Sequence, residues 1–213
     1  MKKALQAPKM RGRRELFQQA ISPEELYENI EIVEQSYDEC DAKHVRFSNA
    51  YFKGVSFFSS QFTHSEWVDC VFEKCDLSNV DFANAIFHRT EFMNCKMSGA
   101  TLSDMGIQDT RFVNTHMPYV SLSFSTCKRV RFEEGCALSS ADIVEATFQS
   151  VELGDSTIED VQFSNTNLGG VDFSDCQFER LTVSEGQLAG CTVSETQAIA
   201  FIRAFGIHVK GYE

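Results

Sequence analysis

Val80-Asp81-Phe82-Ala83-Asn84-Ala85-Ile86-Phe87-His88-Arg89-Thr90-Glu91-Phe92 places a small residue at 80, 85 and 90 and an aromatic one at 82, 87 and 92. Counting outward by fives from Phe82, large apolar residues run back through Leu77, Phe72, Trp67, Phe62, Phe57 and Phe52 to Phe47. Forward they run through Met97, Leu102, Ile107, Phe112, Met117, Leu122 and Cys127 to Phe132. The count slips by one residue within 133–137 and resumes at Leu138, Ile143, Phe148, Leu153, Ile158, Phe163, Leu168, Phe173, Phe178, Val183, Leu188 and Val193. A period of five is neither the roughly 3.6-residue turn of a helix nor the two-residue alternation of a strand. It means a solenoid of very short units.

Two residues before each large position stands Ala, Val, Ser, Thr or Cys, with Met105, Leu181 and Gly186 as the exceptions. Residues two apart on an extended segment point the same way, so both face inward. Asn, Asp or Gly lies two places after the large residue in sixteen of thirty units, Asn49, Gly54, Asp69, Asn79, Asn84, Gly99 and Asp175 among them. These residue types suit tight turns. Phe52, Phe72, Phe92, Phe112 and Phe132 recur every twenty residues, so four units close one coil. Thirty units make about 7.5 coils, a rod of about 36 Å at roughly 4.8 Å per stacked strand.

Composition fits one folded domain: 213 residues, 43% apolar and 12% aromatic. No stretch approaches the roughly 20 apolar residues of a membrane span. The segment 4–10 contains Gln6, Pro8 and Lys9 and no apolar run, unlike a secretory leader, so the expected location is the cytoplasm. Cys40, Cys70, Cys75, Cys95, Cys136, Cys176 and Cys191 fall in the small inward slot and Cys127 in the large one, where a thiol acts as a small hydrophobe. With no C-x-x-C spacing and His44, His64, His88, His116 and His208 scattered outward, no metal and no cofactor is expected. Acidic pairs such as Asp172 and Asp175 straddle an inward residue on a convex rod, with no pocket to shift their pKa values. The chain reads as a non-enzyme.

Charge is unevenly spread. Residues 1–14 carry six cations and no acid, residues 15–42 nine acids and no cation, and residues 133–195 thirteen acids against Arg180 alone. That last block spans about 15 Å, roughly one net negative charge per 1.2 Å, against one per about 1.7 Å of duplex DNA axis. The side built on Leu153, Phe173 and Val193 displays Glu152, Asp155, Asp172, Asp175 and Glu195, and the next side adds Glu159, Asp160 and Glu179. Acids in rows on such a rod can pass electrostatically for DNA. The plainer reading is that they keep a regular solenoid soluble.

Open coil ends need caps. Ser22, Pro23 and Glu25 give a helix start, predicting a short capping helix over 23–30 behind a mobile tail at 1–12, with the β-helix from 31 to 194. Ser194 and Gln197 form a second capping box, predicting a helix over 195–205 stopped by Gly206 and a short strand at 207–209. Ala198, Phe201, Ile202 and Phe205 make one apolar helical stripe, expected to pair with an identical chain.

The small–x–large–x–x pattern over roughly 43–195, with Val80-Asp81-Phe82-Ala83-Asn84 as a model unit, resembles the pentapeptide-repeat family. The resemblance implies an all-β, right-handed quadrilateral β-helix. The ending Phe205-Gly206-Ile207-x-Val209 after a short helix resembles the Qnr and MfpA type, and the single one-residue slip resembles its loop-poor members. That likeness implies a homodimer through the C-terminal helix, acting on DNA gyrase or topoisomerase IV and on quinolone sensitivity. It implies no direct contact with nucleic acid or membrane. A structural or adaptor solenoid with an unrelated protein partner is the rival reading.

Overall fold

The computed structural model describes residues 4–184 and 186–211; residues 1–3 of the basic segment, Glu185 and the last two residues lie outside the described residues. Its strands are β1 (Glu15–Leu16), β2 (Leu26–Glu28), β3 (Ile30–Val33), β4 (Arg46–Ser48), β5 (Tyr51–Lys53), β6 (Glu66–Glu73), β7 (Ile86–Met93), β8 (Gly106–Val113), β9 (Thr126–Glu133), β10 (Thr147–Glu152), β11 (Val161–Phe163) and β12 (Leu181–Val183), followed by helix α1 (Glu195–Ala204). All pair in parallel, coil upon coil, as a β-solenoid. Phe52, Phe72, Phe92, Phe112 and Phe132 are register partners at twenty-residue steps. Their rings stack 4.6, 4.7, 4.9 and 5.0 Å apart, within 10° of parallel, as the twenty-residue column predicts.

Nearly every corner of the β-helix is left-handed, Asp155, Asp175 and Arg180 excepted. Asn49, Asn79 and Asn84 have φ of 53°, 57° and 61°, and even Lys74 and Arg89 follow at 56° and 54°. In the small slot, Thr90 donates to the Trp67 carbonyl (3.3 Å), Ser125 to Leu102 (2.5 Å) and the Cys95 thiol to Phe72 (3.5 Å), each one coil below. Ser, Thr and Cys therefore serve there without leaving a buried polar group unpaired. All eight cysteines are free. Burial pushes the Cys70 and Cys127 thiols up to about 12, which suppresses the reactive thiolate.

The one-residue slip is where the sequence places it. Val113 pairs with Glu133 at an offset of twenty, whereas His116 bridges Ala137 at twenty-one. Glu134 and Gly135, both left-handed at φ 57° and 75°, absorb the extra residue.

The N-terminal expectations are corrected. Residues 23–30 form no helix; β2 and the start of β3 occupy them. The five-residue beat continues below Phe47 through Ala42, Tyr37, Ile32 and Tyr27, with left-handed corners at Glu24, Asn29, Glu34, Glu39 and His44. Tyr27 stacks on Phe47 at 5.1 Å and Tyr37 on Phe57 at 5.6 Å. Extending two aromatic columns outweighs a capping box worth about 1 kcal/mol. The coils thus begin ahead of residue 31, and β1 closes the end by pairing Glu15 with Ile30.

Nor is residue 4 onward a free tail. The amides of Gln6, Lys9 and Arg11 donate to Asp109 (3.2 Å), Asp69 (2.8 Å) and Asn49 (3.2 Å), and Asn49 returns a bond to the Arg11 carbonyl (2.6 Å). These acceptors share one corner at steps of twenty and forty residues, so the segment is a strap laid along the rod. Beneath it Arg89 forks onto Asp69 (2.5 and 2.6 Å) and Arg129 onto Asp109 (2.6 and 2.6 Å). The Asp109 side chain is fully buried. Burial opposes ionisation of both aspartates, yet the arginine forks and the strap amides hold their carboxyls below the usual range.

At the other end α1 carries the expected capping box, Gln197 N–H to Ser194 Oγ at 3.3 Å and Ser194 N–H to Gln197 Oε1 at 2.9 Å. Residues 207–209 are not the expected strand, because α1 lies across the last coil where a partner edge would be. No described helix is long and apolar enough to cross a membrane.

Candidate partner-binding face

The last coils present the acids expected from the sequence. Glu152, Asp155, Asp172, Asp175, Glu195, Asp160 and Glu179 are exposed and Glu159 is half-buried. Glu152, Asp172 and Asp175 line one shallow cleft with Gly154, Gly170 and Thr192.

They are not equivalent. Asp155 accepts the Gly135 amide at 2.9 Å and so anchors the bulge. Asp172 accepts the Ser174 amide at 2.9 Å, and the bonds from Ser174 hold its carboxyl below the usual range. Glu159 accepts the amides of Glu179 (2.5 Å) and Arg180 (3.3 Å); burial opposes its charge, but these bonds lower its pKa on balance. Arg180 reaches Glu159 at 3.3 Å and Asp160 at 3.0 Å. Glu195 sits in the first turn of α1, where a negative charge complements the helix dipole. Asp175 and Glu179 have no side-chain ion pair among the described residues.

One of these acids is met by a base from before the slip. Arg131, one coil below, reaches Glu152 at 3.0 Å. Reading coil against coil, with the one-residue slip counted, would have found it. The same reading would have found the Asp69–Arg89 and Asp109–Arg129 forks and the His44–His64 stack at 4.9 Å, which fives alone leave scattered. Among the described residues no group of three or more His, Cys, Asp or Glu could hold a metal.

The apolar stripe of α1 divides in two. Phe201 is 7% exposed and packs edge-on against Phe173 (5.9 Å) and Phe178 (5.5 Å) of its own last coil. Ala198 is half-buried. Ile202, Phe205 and Ile207 remain exposed, at 38%, 44% and 56%. Gln197 adds to the cap by donating to the Phe173 (2.7 Å) and Cys176 (2.8 Å) carbonyls. Phe201 is therefore a capping residue and not the pairing residue the stripe implied.

Comparison with known proteins follows the geometry. A trypsin-treated form of QnrB1, a plasmid-mediated fluoroquinolone resistance protein, superposes with a TM-score of 0.60 at 20% identity, over 89% of this chain and 98% of that one. A second trypsin-treated QnrB1 form gives 0.52 at 19% identity, over 88% and 99%. HetL, a pentapeptide-repeat protein involved in heterocyst differentiation regulation from the cyanobacterium Nostoc sp. strain PCC 7120, gives 0.45 at 13% over 80% and 85%. At these identities the likeness to the two QnrB1 forms is one of fold. No curated protein sequence matches the chain. Family models for a pentapeptide repeat region and for pentapeptide repeats match residues 65–135 and 158–194, half of the chain between them. With those matches, the five-residue beat and the stacked columns, this chain belongs to the pentapeptide-repeat family.

Proposed function

We propose that the chain is a non-enzymatic mimic of duplex DNA that binds a type II topoisomerase, DNA gyrase or topoisomerase IV, and modulates its activity or its quinolone sensitivity. The observation that carries this reading is the run of exposed carboxylates after the bulge, which Arg131 and Arg180 only partly neutralise. The fold shared with a fluoroquinolone resistance protein is the reason to choose these enzymes as targets. A DNA-binding saddle presents Lys and Arg to phosphates, and a rod with rows of acids offers it the same sign of charge. Such binding weakens steeply with salt.

Pairing of two chains through Ile202, Phe205 and Ile207 would bring two acidic faces about one two-fold axis, matching a two-fold saddle. The inward turn of Phe201 favours the second reading, a monomeric adaptor solenoid with an unrelated partner. A gyrase supercoiling assay with and without ciprofloxacin separates them. The wild type is expected to alter supercoiling or its drug sensitivity, and Asp172→Lys with Asp175→Lys and Glu179→Lys to abolish that effect in a folded rod. A charge-reversed chain that still acts at wild-type concentration removes the mimicry. A wild type inert on both enzymes leaves the adaptor.

A further inference from the structure

Two aromatic side chains stand where this fold least favours them. Tyr119 (70% exposed) and Phe124 (54% exposed) occupy consecutive corners of one coil in the left-handed conformation, at φ 59° and 61°. A bulky side chain is strained there, and an uncovered ring returns nothing to the core. The corner of Tyr119 carries Gly99 one coil before and Ser140 and Asp160 in the next two, so no large residue of that corner covers its ring. The corner of Phe124 carries Asp104 one coil before and Glu145 one coil after, each about 4.8 Å along the rod.

The side between these corners is built from pentapeptides 80–84, 100–104, 120–124, 141–145, 161–165 and 181–185, which contain no Lys or Arg. Its outward residues about the two rings are short (Ala83, Thr101, Ser103, Ser121), so the rings stand above a low surface. Among the described residues, Asp104, Asp142 and Glu145 form no ion pair; of the cations in the same coils, Arg89, Arg111, Arg129 and Arg131 are paired on other sides, and Lys96 and Lys128 belong to other sides of the coil.

We propose that this side docks arginine side chains of a protein partner, guanidinium groups stacking on Phe124 and Tyr119 while Asp104 and Glu145 accept their N–H donors. Arginine fits better than lysine because its planar guanidinium stacks and forks at once. The corner of Tyr119 is also that of Asp160, so this side adjoins the acidic coils and deepens the proposed function by naming aromatic anchors for the same kind of basic partner.

The test uses labelled nona-arginine and nona-lysine peptides titrated against the full chain, so it does not depend on a topoisomerase. Wild type is expected to bind nona-arginine more tightly than nona-lysine. Tyr119→Asn with Phe124→Asn puts in a residue the fold already accepts at left-handed corners such as Asn94 and Asn114, so its thermal midpoint should not fall. Nona-arginine affinity should drop by about twofold to fivefold per ring removed, with nona-lysine unchanged. Asp104→Asn with Glu145→Gln should weaken both peptides. No wild-type preference for nona-arginine, an unchanged affinity in the aromatic variant, or an equal loss for both peptides overturns the proposal. A chain that passes this test and leaves gyrase untouched retains the arginine site and loses the topoisomerase reading.

Discussion

Below the bulge at Glu134 and Gly135, arginines tie several carboxylates across coils; above it Arg180 is the one cation before the helix. Asp69 with Arg89 and Asp109 with Arg129 form forks under the strap, and Arg111 joins Glu91 and Glu133, each at 3.0 Å. Above the bulge, exposed Arg180 serves Glu159 and Asp160, half-buried Arg131 reaches up to Glu152 from the coil below, and Asp175 and Glu179 face water. The backbone repeat is the same in both halves, so the difference lies in what the outward residues do. In the first half they bind coil to coil through arginine, and in the second they accept backbone amides or, as with Asp175 and Glu179, form no side-chain ion pair among the described residues.

That contrast sets an order of expected effects. The largest belongs to the shared core: Phe92→Ala removes a ring stacked on both sides and should cost about 3–5 kcal/mol in chemical denaturation. An unmoved midpoint would mean the columns do not carry the fold. Next, Asp109→Ala leaves the half-buried Arg129 without its partner and should cost about 3 kcal/mol, whereas Asp175→Ala should stay within about 0.5 kcal/mol. Equal losses in the two denaturation curves would erase the distinction between the halves.

A smaller effect is expected from acid. Asp69 and Asp109 titrate lower in the folded chain than in the unfolded one. Their contribution is therefore complete above the ordinary carboxylate pKa, near about pH 4, and drains as pH falls through the lowered folded values. Hydrogen exchange should show the Gln6 and Lys9 amides losing protection in that window while Phe92 keeps its own. Protection lost together across the rod would make strap and core one unit. Smallest of all, Phe205→Asp should leave the unfolding free energy within about 0.5 kcal/mol of wild type, since its ring is exposed. If the chain pairs through α1, light scattering should register the change as dissociation, and a wild type already monomeric removes the pairing.

The coil, its columns and the bulge were legible because each rests on a side-chain class at a fixed spacing. Ser194 and Gln197 were legible for the same reason, their capping box being local. The strap was not: its amides bond to Asp109, Asp69 and Asn49 through backbone groups, which leave no mark on the sequence of the strap itself. The false N-terminal helix came from weighing Ser22, Pro23 and Glu25 above a column in which Ala42 interrupts the run of large residues. Phe201 misled because a stripe at helical spacing states which face is apolar and not what lies opposite. Glu152 lost its isolation to Arg131 because a charge one coil away is twenty-one residues away in the chain.

The thiols seated in the small slot give the rod its own record of opening. Cys40 and Cys191, near the two ends, are half-buried, whereas Cys70, Cys75, Cys95, Cys127, Cys136 and Cys176 are buried. A sealed thiol reacts with an alkylating reagent only when its coil comes apart, so the sequence in which the eight are labelled reads out the direction in which the solenoid unwinds. With the strap clasping coils from Asn49 to Asp109, labelling should advance from Cys191 through Cys176 to Cys136 before it reaches Cys95 and Cys75. That order of labelling would mean unzipping from the acidic end, and the reverse order would mean that the strap end opens first.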